Sequence, residues 1–424
     1  MRRVRSVLSR RSLVDRLGKD FWTLWGSAVV SDFGDGVRLT AIPLLAAAVT
    51  KSPVAVAWVS FAGGLPWLVF ALPAGAMIDR SDRLRVLRIS QVLRFGVSGA
   101  FAAIVVEWSH PPIAVLAVVS FLLGIGEVFY VSASPALLPK LVQAEQLTRA
   151  NSRLFGGQIT ANEFVGPPVG GALYGVSTAL PFLADALTFL VSGLGLFRLR
   201  GDFVAESRRV RKPLRQEIRA GVEWVWANRL IRSLTLAVAV ANLSRAMTMA
   251  IFVLFVTQVI HAGPVAYGAA FTAVAVGAVA SSAVTPRVEA SLSQNTVLVG
   301  SMLVQAASTL GLGFATDIPE VIVTSAVFGF VTMSWNITSM TIRQHIVPDE
   351  FRGRVFSSQR LLTWGALPVG SLLGGGVAAA GGLRAPFIAG GIGILVGAGW
   401  LWRELNQSRT DTTPENPHVE MRDA

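Results

Sequence analysis

Apolar residues run in long stretches, and the stretches are long enough to cross roughly 30 Å of hydrocarbon. Six precede the middle of the chain: Trp22 to Val49, Val54 to Ile78, Val86 to Val106, Ile113 to Leu138, Leu154 to Val176 and Ala179 to Phe197. Six follow it: Ser233 to Val259, Val265 to Val284, Thr296 to Ala315, Pro319 to Thr341, Val355 to Ala380 and Ala385 to Trp402. Each is predicted to be a helix, because an open strand leaves backbone N–H and C=O groups unpaired in lipid. The pattern predicts an all-α polytopic membrane protein with twelve transmembrane helices.

Composition removes alternatives. Hydrophobic residues make up 52% of the chain and charged residues 15%, with a mean hydropathy of +0.57, which leaves too little polar surface for a soluble globule of 424 residues. The formal charge of +12 raises nucleic-acid binding, yet the basic residues sit between apolar runs rather than among stacking aromatics, so no nucleic-acid partner is expected. With no Cys, disulfides and thiolate metal sites are excluded. His110, His261, His345 and His418 show no metal-ligand spacing, and neither a metal nor a cofactor is expected.

Orientation follows from the connections that carry Lys and Arg, since positively charged loops resist translocation. Arg80, Arg83, Arg85 and Arg88 follow the second run, Lys140, Arg149 and Arg153 the fourth, and Arg343, Arg352 and Arg354 the tenth; the alternate loops hold little beyond Lys51 and Arg384. Both termini are therefore expected on the cytoplasmic side of a bacterial inner membrane. Five segments result: a basic cytoplasmic arm (1–20), a six-helix bundle (21–200), a cytoplasmic linker with an amphipathic stretch (201–232), a second six-helix bundle (233–404) and a disordered tail (405–424). The amphipathic stretch, with Ile218, Val222, Trp224, Val225 and Trp226, is expected to lie along the cytoplasmic face with its Trp residues at headgroup depth.

A faint internal repeat supports the same division. Glu145, Arg149, Gly170 and Gly171 recur at one offset as Glu350, Arg354, Gly375 and Gly376, and Arg80 recurs at a similar offset as Arg287. Two parallel six-helix repeats are the expected plan for a transporter whose halves rock about a central site. Chance recurrence among Gly-rich helices is the alternative.

Several motifs resemble the major facilitator superfamily. Gly75, Asp79, Arg80, Arg83 and Arg85 resemble its loop between the second and third helices, where the resemblance implies an Asp–Arg latch that holds helix ends in the outward-facing state; Asp82 stands where the family usually has Gly. Gly166, Pro167, Gly170 and Gly171 look like the core of the motif of its antiporter members, which implies export. Paired glycines also allow close helix approach, and Pro167 with Pro168 interrupts the hydrogen-bond ladder. Gly34-Asp35-Gly36, Pro135-Ala136-Leu137-Leu138-Pro139 and the run from Pro348 to Arg354 together resemble the branch containing enterobactin exporters and macrolide-efflux-like permeases. The resemblance implies the two-bundle major facilitator fold and a small-molecule substrate.

Ionisable side chains inside a span cost about 2.5–3.5 kcal/mol on insertion scales, so they face protein or water and are functional candidates. Asp32, Asp35 and Arg38 are spaced by three residues along one inclined face of the first span. One reading has a carboxylate that takes up a proton beside Arg38, which tunes it or meets an anionic guest; the other is a self-neutralising ion pair. Glu127 in the fourth span, Glu163 before the Gly-Pro core and Asp185 near the predicted outer end of the sixth are further proton carriers or, alternatively, helix-to-helix hydrogen-bonding groups. Arg245 and Asn242 in the seventh span offer an anion site or a packing contact. Phe129, Tyr130, Trp335, Asn336 and Trp364 suit an aromatic, sparsely polar cavity, or ordinary packing. No Arg lies between Pro112 and Lys140, where drug-proton members of the superfamily have one.

The expectation is a monomeric secondary transporter, embedded in lipid, that exports a siderophore-like or hydrophobic drug-like molecule by alternating access in exchange for protons. Uptake of a solute is the rival within transport. A membrane enzyme would need a nucleophile-base pair or clustered His and carboxylates, and a sensor would need a sizeable soluble domain.

Overall fold

The computed structural model describes residues 17–78, 80–108, 110–201, 203, 222–346 and 349–410. Most of the arm, the basic part of the linker, Asp79 and the end of the tail lie outside them. Among the described residues twelve long helical elements follow one another: α1 Lys19–Val49, α2 Pro53–Ile78, α3 Arg83–Glu107, α4 Ile113–Leu141, α5, α6 Leu180–Arg198, α7 Arg229–Val259, α8 Pro264–Ser291, α9 Gln294–Phe314, α10 Ile318–Ile346, α11 Asp349–Gly381 and α12 Ala385–Thr410. The element α5 is composite, with Leu147–Ile159 and Gly166–Val176 joined by a π-helical turn at Thr160–Val165. Every predicted run has its helix, and most helices extend a turn or two into polar sequence at the ends.

Ten of these helices are long and apolar enough to span a membrane on composition alone. The other two are special for visible reasons: α1 carries Asp32, Asp35 and Arg38 mid-helix, and α5 begins polar and breaks at its π turn. The ladder slips just before Pro167 and Pro168, whose missing N–H groups leave upstream carbonyls without intrahelical donors. Side-chain caps set other starts. Asp82 accepts from Leu84 N at 2.9 Å to open α3, and Asn228 accepts from Ile231 N at 3.0 Å to open α7.

Helix pairing repeats with an interval of six. Within the first half α1 packs on α5 and α6, α2 on α4, and α3 on α4 and α6; within the second α7 packs on α11 and α12, α8 on α10, and α9 on α10 and α12. Across the halves α2 packs on α11 as α5 packs on α8. The chain is thus two six-helix bundles related by a pseudo-two-fold axis, the architecture of a major facilitator transporter.

The apolar core is shared at one end only. Beside the short loops at 50–52, 177–179, 260–263 and 382–384, one continuous cluster joins Leu44, Leu45, Phe101 and Phe182 to Ile251, Phe255, Tyr267 and Phe387 of the other half. At the opposite end the core divides into separate clusters, two large ones and a small one of Val225 and Ile231. Phe21, Leu24, Leu84, Leu137 and Leu154 belong to the first half, and Leu234, Leu298, Met302, Trp335 and Leu401 to the second. The halves are therefore welded at the end of the short loops and part towards the end that carries the long linker.

Candidate functional site

The first half buries a charged network where α1, α3, α4 and α6 meet. Arg94 of α3 has no exposed surface and donates to Asp35 Oδ1 and, at 3.1 Å, to Ser31 Oγ. Arg38 donates to the same Asp35 oxygen at 2.7 Å and to Glu127 Oε2 at 3.2 Å, and its Nε lies 3.9 Å from Asp185 Oδ2. Ser98 donates to Asp185 Oδ2 at 2.7 Å. Asp32, also buried, lies one turn before Asp35 and faces the side chain of Gln158. Three carboxyl groups, of Asp35, Glu127 and Asp185, thus share two guanidinium groups, with Asp32 buried beside them. Two carboxyl oxygens, Asp32 Oδ2 and Asp185 Oδ1, are buried without a hydrogen-bond partner.

The surrounding sequence explains why these side chains can meet. A Cβ on Gly34 would lie 2.8 Å from Asp185 Oδ1 and collide with Thr188, and one on Gly36 would lie 2.9 Å from the Cα of Gly166. The two glycines flanking Asp35 therefore make room for the Asp185 and Thr188 side chains of α6 and for the backbone of α5 against α1. Gly126 does the same for the Arg94 stem, since a Cβ there would stand 2.5 Å from Arg94 Cγ. The guanidinium is sandwiched by rings, with Cζ 4.0 Å from the centroid of Phe189 and 5.6 Å from that of Tyr130. Such stacking gives a desolvated cation a partial substitute for water.

The remaining candidates divide by location. Glu127 keeps 31% of its side-chain surface exposed, and Glu163 and Arg245 are exposed on α5 and α7. Asn242 donates to Thr363 O at 2.9 Å, joining α7 to α11. Trp364 packs at a tilt against Trp67 with centroids 4.8 Å apart, so this aromatic pair sits on the α2–α11 seam between halves. Asn336 is exposed and Phe129 half-buried on α10 and α4. Tyr130 and Trp335 are instead buried in the separate cores of the two halves.

Among the residues proposed for gating, Gly170 abuts Thr40 and Val37 of α1, and Gly171 abuts Pro264 of α8; a Cβ on Gly268 would in turn lie 2.7 Å from Pro167 O. The motif of α5 therefore serves two contacts, one inside its half and one across to the other. Gly75 faces open space. Arg80 is exposed in the turn after α2, and Arg83 donates to Ala136 O at 2.5 Å, tying the start of α3 to the Pro-flanked end of α4. With φ −66° at Asp82, the turn needs no glycine there.

Arg94 is the residue that sequence reasoning missed. It lies inside the third apolar run, so the rule that singled out Asp32 applied to it equally. Ser31, Ser98 and the buried Gln91, which donates to Ser192 Oγ at 2.6 Å, join it with no separate signal in the sequence.

A family model described as transmembrane secretion effector matches residues 17–422, nearly the whole chain, and so takes in both bundles and the buried network. The chain belongs to this family of the major facilitator superfamily. Other members or relatives carry efflux names. The chain is 26% identical over 373 residues to the multidrug efflux pump Tap of Mycolicibacterium fortuitum, covering 86% of this chain and 90% of that protein. It is 28% identical to Tap of Mycobacterium tuberculosis (strain ATCC 25618 / H37Rv), covering 84% and 86%. Macrolide efflux protein A of Streptococcus pyogenes is 30% identical over 156 residues, or 37% of this chain and 38% of that one. Among solved structures, the nucleoside transporter NupG superposes with a TM-score of 0.72 at 10% identity, covering 91% of this chain and all of that one. A bacterial homologue of the iron transporter ferroportin in its inward-facing state gives 0.71 at 17% identity, covering 92% and 100%. As a transmembrane secretion effector, the chain is an integral membrane protein that moves small molecules, and it is not an enzyme.

Proposed function

We propose that this protein exports small amphipathic, drug-like molecules by alternating access in exchange for protons. The observation that carries the coupling is the buried network of α1, α3, α4 and α6, in which two carboxyl oxygens lack partners, three carboxyl groups share two guanidiniums and a fourth, Asp32, is buried beside them. A buried carboxylate with an unsatisfied oxygen is a place to hold a proton, and protonating Asp32 and Asp185 brings the network to neutrality. Efflux as the direction is supported by the names of the relatives and by the glycine-proline motif of α5.

Orientation follows the basic loops, so the end where the halves part is the cytoplasmic one and the structure corresponds to an inward-facing state. The bacterial inner membrane is the location, its lipids the surroundings, and a single chain the working unit. A guest would enter between the halves, and closure about the α2–α11 and α5–α8 seams would pass it outward.

The test is efflux from cells challenged with a chemically diverse panel that includes macrolides and a siderophore. Wild type is compared with Asp32→Asn, Asp185→Asn and Glu127→Gln at several external pH values. Export by wild type that depends on an inward proton gradient, and loses that dependence in the Asp variants, is expected. Accumulation instead of export reverses the direction, and unaltered pH response in all three variants removes the carboxylate assignment.

A further inference from the structure

Ser98 of α3 stands between two acceptors on α6. Its hydroxyl oxygen lies 2.7 Å from Asp185 Oδ2 and 3.2 Å from the main-chain oxygen of Phe182, one turn earlier on that helix. A hydroxyl carries a single proton and accepts as well as donates, so it serves only one of the two oxygens as donor at a time. Ser98, Phe182 and Asp185 are all buried, and the choice between the two is made inside the protein.

The ion pairs of the network lack this freedom. Asp35 and Glu127 are held by Arg38 and Arg94, and a guanidinium donates without being able to accept. A proton placed on either of these carboxylates would face a donor that cannot turn round. Asp185 is bound differently. Arg38 Nε stays 3.9 Å from its Oδ2, the Thr188 hydroxyl donates to the main-chain oxygen of Asp185 at 2.6 Å, and Oδ1 has no partner. Among the described residues, Ser98 therefore makes the one side-chain hydrogen bond of this carboxyl group.

We propose that Ser98 is a positioning residue that fits Asp185 for two protonation states: it donates to Oδ2 when the carboxyl group is ionised, and accepts from the Oδ2 hydroxyl, with its own proton turned to Phe182 O, when the group is neutral. This rests on the proton-exchange reading of the function and names, among the buried carboxyl groups, the one built to be loaded and unloaded. Loading takes a proton from hydronium and forms the Oδ2–H bond, leaving water; unloading returns the proton to water, and no other covalent bond changes.

The charges that face Asp185 carry its state outward. Arg38 of α1 is the nearest, and through it the site meets Asp35 of α1 and Glu127 of α4, with Arg94 of α3 on Asp35. With Asp185 ionised, Arg38 is divided among three carboxylates; with Asp185 neutral, its attraction acts towards Asp35 and Glu127 alone. Glu127 keeps part of its surface exposed, so loading at a buried residue is felt at a group that meets solvent.

The pH-difference infrared spectrum of the purified protein in nanodiscs tests it through the carbonyl band of protonated carboxylic acids, and Asp185→Asn identifies the part that belongs to Asp185. In wild type that part is expected at the frequency of an acid whose O–H donates. Ser98→Ala should move it to the frequency of a free acid. The band should also persist to about tenfold lower proton concentration, because the ionised form loses a charge-assisted bond roughly twice as strong as the neutral bond lost by the acid. Ser98→Thr keeps a hydroxyl and should restore both. A structural role alone would lower the melting temperature and leave the band in place. A band unmoved in Ser98→Ala, or no band lost in Asp185→Asn, overturns the proposal; should Ser98→Ala fail to fold, a wild-type band at the free-acid frequency overturns it. Proton-driven efflux from cells, measured beside the spectra, keeps the readings apart. A Ser98-dependent band without proton-driven export removes the antiport and leaves the two-state site; proton-driven export with no Asp185 band removes the two-state site and leaves the antiport.

Discussion

Arg94 of α3 and Arg38 of α1 converge on a single oxygen, Oδ1 of Asp35. Two cations meeting one carboxylate in a buried setting make Asp35 the keystone of the network, and its role is structural before it is transport-related. Removing one partner of a buried ion pair leaves an uncompensated charge and costs about 3–5 kcal/mol. Asp35→Asn and Arg94→Gln are therefore expected to lower folded yield and melting temperature in detergent, with efflux falling in step. A normally folded Asp35→Asn protein would mean the guanidiniums find other acceptors.

Asp32 and Asp185 should behave differently. Each keeps an unpartnered carboxyl oxygen, so the neutral amide resembles the protonated acid and leaves packing intact. Asp32→Asn and Asp185→Asn are expected to melt within about 1 kcal/mol of wild type while proton uptake coupled to efflux falls. Proton flux in inverted vesicles, measured beside melting, reads both.

How much of this was legible beforehand depended on whether a feature is local. A span announces itself because twenty apolar residues suffice for one helix, and each of the twelve apolar runs matches its helix to within a few turns. Partnerships across helices do not announce themselves. Arg94 has no acidic residue three or four places away, and its partner lies on α1, so only packing brings them together. Asp185 lies near the end of α6 beside the short loop 177–179, in keeping with its place in the sequence, and what the sequence does not show is that Arg38 of the longer α1 reaches it there. The fourth span has no Arg of its own, and its Glu127 pairs with Arg38 of α1, a contact that only packing reveals. Tyr130 and Trp335 show the converse limit: on a helix apolar all round, the face that turns into a core cannot be told from the face that turns to a cleft.

The glycines separate packing from motion. Gly36→Val would drive a side chain into Gly166 and Asn162 within one half, and overpacking of that kind costs about 1–3 kcal/mol. Gly171→Val would press on Pro264 at the seam between halves, where the helices can part instead of straining. Gly36→Val is therefore expected to lower the melting temperature, and Gly171→Val to keep it while efflux falls because the welded end no longer closes. Gly75→Ala, with open space around it, should leave both unchanged. Melting curves and efflux rates on the three variants check the ordering.

The absence of Cys makes the wild-type chain a ready background for mapping sides of the membrane. Lys51 and Ser177 lie in exposed loops at the end where the halves share a core, and Ser81 and Ser291 at the end where the cores separate. Basic loops stay cytoplasmic, and Arg80 and Arg83 flank Ser81. Lys51→Cys and Ser177→Cys should therefore react with a membrane-impermeant maleimide added to intact cells. Ser81→Cys and Ser291→Cys should react only after the membrane is made permeable. The reverse labelling would turn the protein over, converting the parted end from an entrance on the cytoplasmic side to an exit on the outside, and with it the inward-facing assignment. Mixed labelling within one end would break the even number of crossings that the paired bundles require.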